Sequence, residues 1–232
     1  MLTMQNEVIF LAHVFLVSVL AYSIRRQSVN AQTTLMVTFA LLGNLMVLKQ
    51  MLLFGFKVTT ADVYAVGVIL VLNYIREAYD DQAVHQAMRY SFGALTLLAV
   101  ASYFQIAYEP LEQDQMSQAY SQMMGQFPKI VLVSAVVYWV VQYLDNLLFS
   151  WMRGIFGQRY LTGRILLSLV FSQILDTILF SIYALDDIAI SLVDIIIFSS
   201  LVKIGCSVLM IVNTIISEKI TRLRQIRSLK SS

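Results

Sequence analysis

The stretch ILLSLVFSQILDTILFSIYAL, residues 165–185, decides how this chain folds. It is long enough to cross a lipid bilayer, for which roughly 20 apolar residues suffice. One carboxylate, Asp176, lies in its middle, with Gln173 three residues and Ser172 four residues before it. Residues three or four apart share one face of a helix. The stretch therefore predicts a membrane helix with a single polar stripe on an otherwise lipid-compatible surface.

A second stretch repeats part of this pattern. Residues 142–149 read QYLDNLLF and residues 173–180 read QILDTILF, so Gln142 and Asp145 have the same spacing as Gln173 and Asp176. Successive membrane helices run in opposite directions, so the two Gln–Asp pairs can face one cavity from two walls. The similarity of the two octets can also be coincidence, in which case they are helix-packing elements.

The composition gives the same fold class. Of 232 residues, 59% are hydrophobic and 13% are charged, whereas a soluble domain is about a quarter charged. We predict an all-α, polytopic transmembrane helix bundle in a single integral membrane domain, residues 1–232. About seven stretches have spanning length, near residues 7–24, 33–54, 60–79, 90–108, 129–151, 165–185 and 188–216.

The basic residues predict the orientation of the bundle. Lys and Arg follow the first, third and fifth stretches and fill the tail 217–232, all on one side if seven segments alternate. That side is the cytoplasm by the positive-inside rule. The charges assigned to the opposite side are Glu7, Lys57, Asp62, Glu109, Glu112, Asp114, Lys129, Asp186 and Asp187. We therefore predict an outside N-terminus, a cytoplasmic C-terminus and an acidic outside loop between the prolines Pro110 and Pro128.

Several charges lie in or near the hydrocarbon region. Each costs about 2.5–3.5 kcal/mol at a helix centre, so these side chains should pair, face the bundle interior or line a wet cavity. Asp194 and Lys203 are too far apart on one helix to pair with each other, so each needs a partner on another helix. Together with the neighbouring amides and one hydroxyl, the charges form the predicted substrate-binding set: Asn44, Lys49, Gln50, Asn73, Glu77, Gln142, Asp145, Ser172, Gln173, Asp176, Asp194 and Lys203.

Other chemistry has no motif here. The chain has one cysteine, Cys206, and two separated histidines, which predict neither an internal disulfide nor a metal site. There is no phosphate-binding P-loop, H-E-x-x-H or G-x-S-x-G motif. We predict no cofactor, no nucleic-acid partner and no enzymatic activity. A polar interior without catalytic groups indicates binding and passage of a small molecule.

The polar motifs resemble those of the queuosine precursor transporters, also called the vitamin uptake transporter family. The matching pieces, in the family's order, are NLMVLKQMLLFGF, VTTADVYAVGVILVLNYIREAYDDQAVHQA, QYLDNLLF, LSLVFSQILDTILFSIY and SLVDIIIFSSLVKIG. The element around Asp176 is the most specific of them. One departure is Asn73, which stands where many members have Asp.

The resemblance implies a fold and a function. Residues 33–216 would form a six-helix core similar to the substrate-binding components of vitamin importers, and residues 7–24 would be the extra N-terminal helix of longer members. The implied function is import of queuosine precursors, 7-deazaguanine compounds or queuine, across the cell inner membrane for tRNA modification. Two alternatives remain: a substrate-binding component of a multi-subunit vitamin or purine importer, and a non-transporting membrane assembly protein. The sequence leaves open a homo-oligomer or an energising subunit as partner.

Overall fold

The computed structural model describes residues 4–79, 81–156 and 161–205, and within these ranges the chain is almost entirely helical. The elements are α1 (Gln5–Ile24), α2 (Val29–Met46), β1 (Gln50–Leu53), β2 (Phe56–Thr59), α3 (Asp62–Ala78), α4 (Asp81–Ala107), α5 (Ser117–Met124), α6 (Phe127–Phe156) and α7 (Leu161–Leu185). Residues 192–205 form a further helical segment that reaches the last described residue. The predicted all-α bundle is confirmed.

The helices have the length and composition that a bilayer requires. Three stretches of the described chain, Gln5–Ile24, Gln82–Ala107 and Ser117–Val141, are long and apolar enough to cross a membrane. The second half of α7, Val170–Leu185, is a shorter apolar helix. Long apolar side chains such as Phe15, Leu97 and Trp139 lie on the outside of the bundle, where lipid rather than water would contact them. The chain is a multi-pass membrane protein.

Two groups of helices build the interior. The helices α1 to α4 surround a core that includes Phe39, Val71 and Ile75, whereas α6 and α7 pack along each other around a smaller one. Gly67 of α3 lies where a Cβ atom would come within 2.7 Å of both Phe39 and Val17. The absence of a side chain at this position therefore allows α3 to approach α1 and α2 closely.

The predicted second membrane segment, residues 33–54, is wrong at its end. Helix α2 stops at Met46, and residues 50–59 form an antiparallel hairpin in which Leu53 pairs with Phe56. The two turn residues, Phe54 and Gly55, both have positive φ angles, 49° and 86°. Such a turn matches the twist of paired strands. The apolar run that appeared to extend the helix is therefore a hairpin, which buries Leu53 and Val58 and exposes Leu52 and Phe54.

Side chains from α1 and from the segment 192–205 satisfy part of the hairpin's backbone. The Phe54 N–H donates to Glu7 Oε1 at 3.1 Å, and the amide of Asn6 donates to the Leu52 carbonyl at 2.9 Å. The Lys57 N–H donates to Asp194 Oδ2 at 3.0 Å. A hairpin inside a membrane protein needs such partners, because unpaired backbone groups are costly away from water.

Two further boundaries differ from the sequence prediction. Helix α4 begins at Asp81 rather than near residue 90, and the acidic loop after it contains the short helix α5. The predicted seventh segment, residues 188–216, begins as a helix only at residue 192. A serine at position 191 explains this start, because its hydroxyl accepts a hydrogen bond from the Asp194 N–H at 3.3 Å, as a helix N-cap does. Residues 206–216 lie outside the described residues.

Candidate substrate site

A lysine–carboxylate pair joins α7 to the helical segment 192–205. Lys203 Nζ lies 2.9 Å from Asp176 Oδ2. The Lys203 side chain is 14% exposed and that of Asp176 is 40% exposed, so the carboxylate is the more accessible partner. The sequence prediction that Lys203 pairs with a group on another helix is confirmed. The pair also explains how a carboxylate in the middle of α7 is tolerated.

A hydroxyl extends this pair along α7. Lys203 Nζ donates to Thr177 Oγ1 at 3.0 Å, and the Thr177 hydroxyl donates to the Gln173 carbonyl at 2.8 Å. Thr177 is buried, so these bonds fix the position of the ammonium relative to the helix. The sequence analysis did not include Thr177 in the site, although it directly follows Asp176.

Asp62 is a buried carboxyl group at the start of α3 that was not among the predicted site residues. This first residue of α3 is 5% exposed. Its carboxyl group lies in the neighbourhood of Ser199 and Lys203 of the segment 192–205. Its Oδ2 atom is buried without a hydrogen-bond partner in the described part of the chain. Asp62 was assigned to the outside charges, in keeping with its position at the start of a predicted span.

Asp194 and Gln50 hold the hairpin. Asp194 accepts a hydrogen bond from the backbone N–H of Lys57, so its partner lies in β2 and not on another helix as the sequence predicted. The Gln50 amide donates to the Ile188 carbonyl at 2.6 Å, and its oxygen accepts from the Ile190 N–H at 2.7 Å. Both side chains are thus engaged in structural contacts. Their predicted contact with a substrate stays a prediction.

The other predicted site residues are spread over the bundle. Lys49 is exposed just after α2. The amides of Asn44 and Asn73 each donate to a carbonyl one turn earlier in their own helix, and Ser172 and Gln173 are half-buried on α7. Glu77, Gln142 and Asp145 have helical backbones, but their side chains lie outside the described part of the structure. The two helices that carry the repeated octets, α6 and α7, are neighbours, as the octet hypothesis requires.

Charges that the sequence assigned to the outside meet at one end of the bundle. Lys129 Nζ lies 2.8 Å from Asp186 Oδ1 and 2.6 Å from Asp187 Oδ1. The hydrogen bond from Lys129 lowers the pKa of the Asp186 carboxyl. These three groups connect the start of α6 with the loop after α7, so the charges predicted to share a side do lie together.

The arrangement suits recognition of a flat ligand with both donors and acceptors. A carboxylate accepts two N–H groups side by side, and an ammonium donates to a carbonyl oxygen. Asp176 and Lys203 offer these two functions within one ion pair. Within the described ranges, no group of three or more His, Cys, Asp or Glu side chains is arranged to hold a metal ion.

Together, the fold and this partly buried ion pair define a multi-pass helical membrane protein with a polar cluster between its helices. The model of a family described as "Putative vitamin uptake transporter" matches residues 59–217, well over half of the chain, and the chain belongs to this family. The family expected from the sequence motifs is confirmed.

A similar protein has a more specific description. The chain is 28% identical over 143 residues to a "Probable queuosine precursor transporter" from Bacillus subtilis (strain 168), and the matched region covers 61% of this chain and 62% of that relative. The match therefore spans about three fifths of the relative's length. No solved structure matches the chain.

Proposed function

We propose that this protein imports queuosine precursors of the 7-deazaguanine class across the cell inner membrane. The observation that carries the proposal is the Asp176–Lys203 pair, which lies between two helices within the region that matches the family. The description of the Bacillus subtilis relative supports the same substrate class. In this proposal residues 33–216 form the transport core, and residues 7–24 are an added helix.

The chemistry of the ligand fits the pair. The guanine edge presents N1–H and N2–H₂ side by side as donors, which one carboxylate can accept together. The adjacent O6 atom accepts from an ammonium. Adenine reverses this pattern at N1, where it presents an acceptor. A site built for the guanine pattern should reject adenine strongly, because the mismatch leaves buried polar groups unpaired.

The decisive experiment uses the purified full-length chain. A thermal-shift panel in detergent would compare guanine, 7-cyano-7-deazaguanine, 7-aminomethyl-7-deazaguanine and queuine, with adenine as the control. We expect the deazaguanines to raise the melting temperature and adenine to have no effect. Equal stabilisation by adenine would contradict the proposed guanine recognition.

Uptake into liposomes then separates transport from binding alone. If the chain by itself carries a radiolabelled deazaguanine into sealed liposomes, it is a complete transporter. Binding without uptake would instead favour a substrate-binding component that needs an energising subunit. Failure to bind any member of the panel would favour a non-transporting assembly protein.

A further inference from the structure

The loop between α1 and α2 is held in one conformation at the end of a candidate membrane span. The amide of Gln32 donates to the backbone carbonyls of Arg25 and Gln27, each at 3.1 Å, and the Tyr79 hydroxyl donates to the Gln27 carbonyl at 3.1 Å. Gln32 is fully buried, so these bonds fix the loop against α2 and the end of α3. The loop therefore presents its two arginines at a defined place, where the 20-residue span of α1 reaches the lipid head groups.

One of these arginines has a side chain that the protein constrains. The Arg25 guanidinium carbon lies 3.9 Å from the centre of the Tyr22 ring, which is the geometry of a cation–π contact. A guanidinium stacked on one face keeps its N–H edge available, and that edge can donate two parallel hydrogen bonds to the oxygens of a phosphate. Arg25 is half-buried whereas Arg26 is exposed, so the position of the first is better defined than that of the second.

Both arginines line a pocket on the surface of the bundle. Its other lining residues are Tyr22 and Ser23. Within the described part of the chain, neither arginine forms an ion pair with a carboxylate. The Ser23 hydroxyl donates to the Leu20 carbonyl at 2.8 Å, so the guanidinium groups are the donors that the pocket offers. These features suit an anionic ligand whose charged oxygens accept several hydrogen bonds.

An apolar row on α1 leads to this pocket. Phe15, Val19 and Tyr22 follow each other at spacings of four and three residues, which places them on one helix face, and all three are exposed. We propose that the pocket binds the phosphate of an anionic phospholipid, whose acyl chains lie along this row. Basic pockets at the cytoplasmic ends of membrane helices bind such head groups. The proposal does not depend on which substrate the protein carries.

A simpler explanation of the two arginines competes with the lipid site. Basic residues next to a membrane span set its orientation by their charge alone. In that case a lysine serves as well as an arginine, and positions 25 and 26 are equivalent. A phosphate site instead requires the fork of the Arg25 guanidinium and the ring that supports it. Substitutions that conserve charge therefore separate the two explanations.

The first measurement uses the purified full-length chain in an uncharged detergent. Native mass spectrometry with equal amounts of phosphatidylglycerol and phosphatidylcholine compares the affinities for an anionic lipid and for one whose phosphate is balanced by a choline cation. We expect the chain to retain phosphatidylglycerol in preference. Equal retention of both lipids would overturn the proposal. Displacement of the lipid by millimolar inorganic phosphate would also overturn it, because the pocket would then be a site for free phosphate.

Variants then assign the binding to this pocket. Arg25→Lys keeps the charge but loses the fork and the stacking, so it should weaken phosphatidylglycerol binding by roughly two- to fivefold, the range that an exposed cation–π contact contributes. Arg26→Lys is the matched control and should lose less, because Arg26 is exposed. Tyr22→Leu removes the ring and no charge, and should reproduce the effect of Arg25→Lys, whereas Tyr22→Phe should not. Equal affinities in Arg25→Lys and Arg26→Lys, or unchanged affinity in Tyr22→Leu, would overturn the assignment.

Discussion

Lys203 is a residue whose predicted need for a partner, helix contacts and place in the candidate site can all be compared. Its ammonium contacts Asp176 and Thr177 on α7, although its own backbone belongs to the segment 192–205. The sequence predicted that Lys203 needs a partner on another helix, since Asp194 is too distant along its own. The identity of that partner depends on how two helices pack, which the spacing of residues does not specify.

The first prediction concerns the carboxylate of this pair. Asp176→Asn retains the shape of the side chain but replaces the charged acceptor for both Lys203 and the ligand. We expect affinity for a 7-deazaguanine to fall roughly 30-fold or more, since losing one member of a charged contact costs about 2–5 kcal/mol. Titration calorimetry measures this loss. Near-normal affinity would remove Asp176 from the site.

Stability should change much less than affinity in this variant. Asp176 is 40% exposed, so the pair is screened more than a fully buried one, and we expect a cost of about 1 kcal/mol. Asp187→Asn is the matched control, because Asp187 also bonds to a lysine but lies at the exposed end of the bundle. It should leave ligand affinity unchanged. A large loss of affinity in the control would indicate a general effect on the fold.

Asp62 shows what the sequence alone could not reveal about the site. Its position at the start of a predicted span is typical of a charge in contact with water. The structure buries Asp62 near Ser199 and Lys203 of the segment 192–205, which is distant from it in sequence. Neighbours of such long sequence separation leave no local periodicity, so only the packed structure places Asp62 near that segment.

Among the secondary-structure elements, the hairpin is the one that the sequence most clearly failed to predict. The helices were predicted because apolar runs of roughly 20 residues have few other structures available in lipid. The hairpin occurs within an apolar run of the same kind, and Gly55 at its turn is the local sequence signal for it. Its stability also depends on Glu7 and Asp194, which approach it from distant parts of the chain.

The second prediction tests the close packing of α3. In Gly67→Ala, the new Cβ would lie 2.7 Å from Phe39 and Val17, and both of these side chains are buried and cannot easily move away. We expect a loss of about 1–3 kcal/mol in stability, the usual effect of overpacking. A melting curve in detergent, followed by intrinsic fluorescence, measures it.

Another glycine provides the control for this substitution. Gly93 lies within α4, and no atom lies within 4 Å of a Cβ added there. Gly93→Ala should therefore stabilise the protein by about 0.5–1 kcal/mol, because alanine favours the helix. If Gly67→Ala raises the melting temperature as Gly93→Ala does, the helix contact at Gly67 is not as close as the structure indicates.

For the whole molecule, the distribution of charge connects fold and orientation. The sequence assigned Glu7, Lys129, Asp186 and Asp187 to one side of the membrane, before any contact between them was known. The structure places Lys129 against both aspartates, and Glu7 against the hairpin turn. The predicted and observed positions of these charges agree because helices of alternating direction place every second loop at the same end of the bundle. Which end faces the cytoplasm remains a prediction from the basic residues.

The third prediction tests that orientation directly. Cysteines are placed one at a time at Gln118 and Ser228 in a Cys206→Ala background, and intact cells are treated with a membrane-impermeant maleimide. Gln118 is an exposed residue of α5, in the acidic loop predicted to lie outside, so its cysteine should react. Ser228 belongs to the basic tail, which the positive-inside rule places in the cytoplasm and which anionic lipid attracts there. A cysteine at this position should therefore react only after the cells are lysed. The opposite labelling pattern would reverse the orientation, and the outer end of the bundle, with Lys129 and its two aspartates, would then face the cytoplasm.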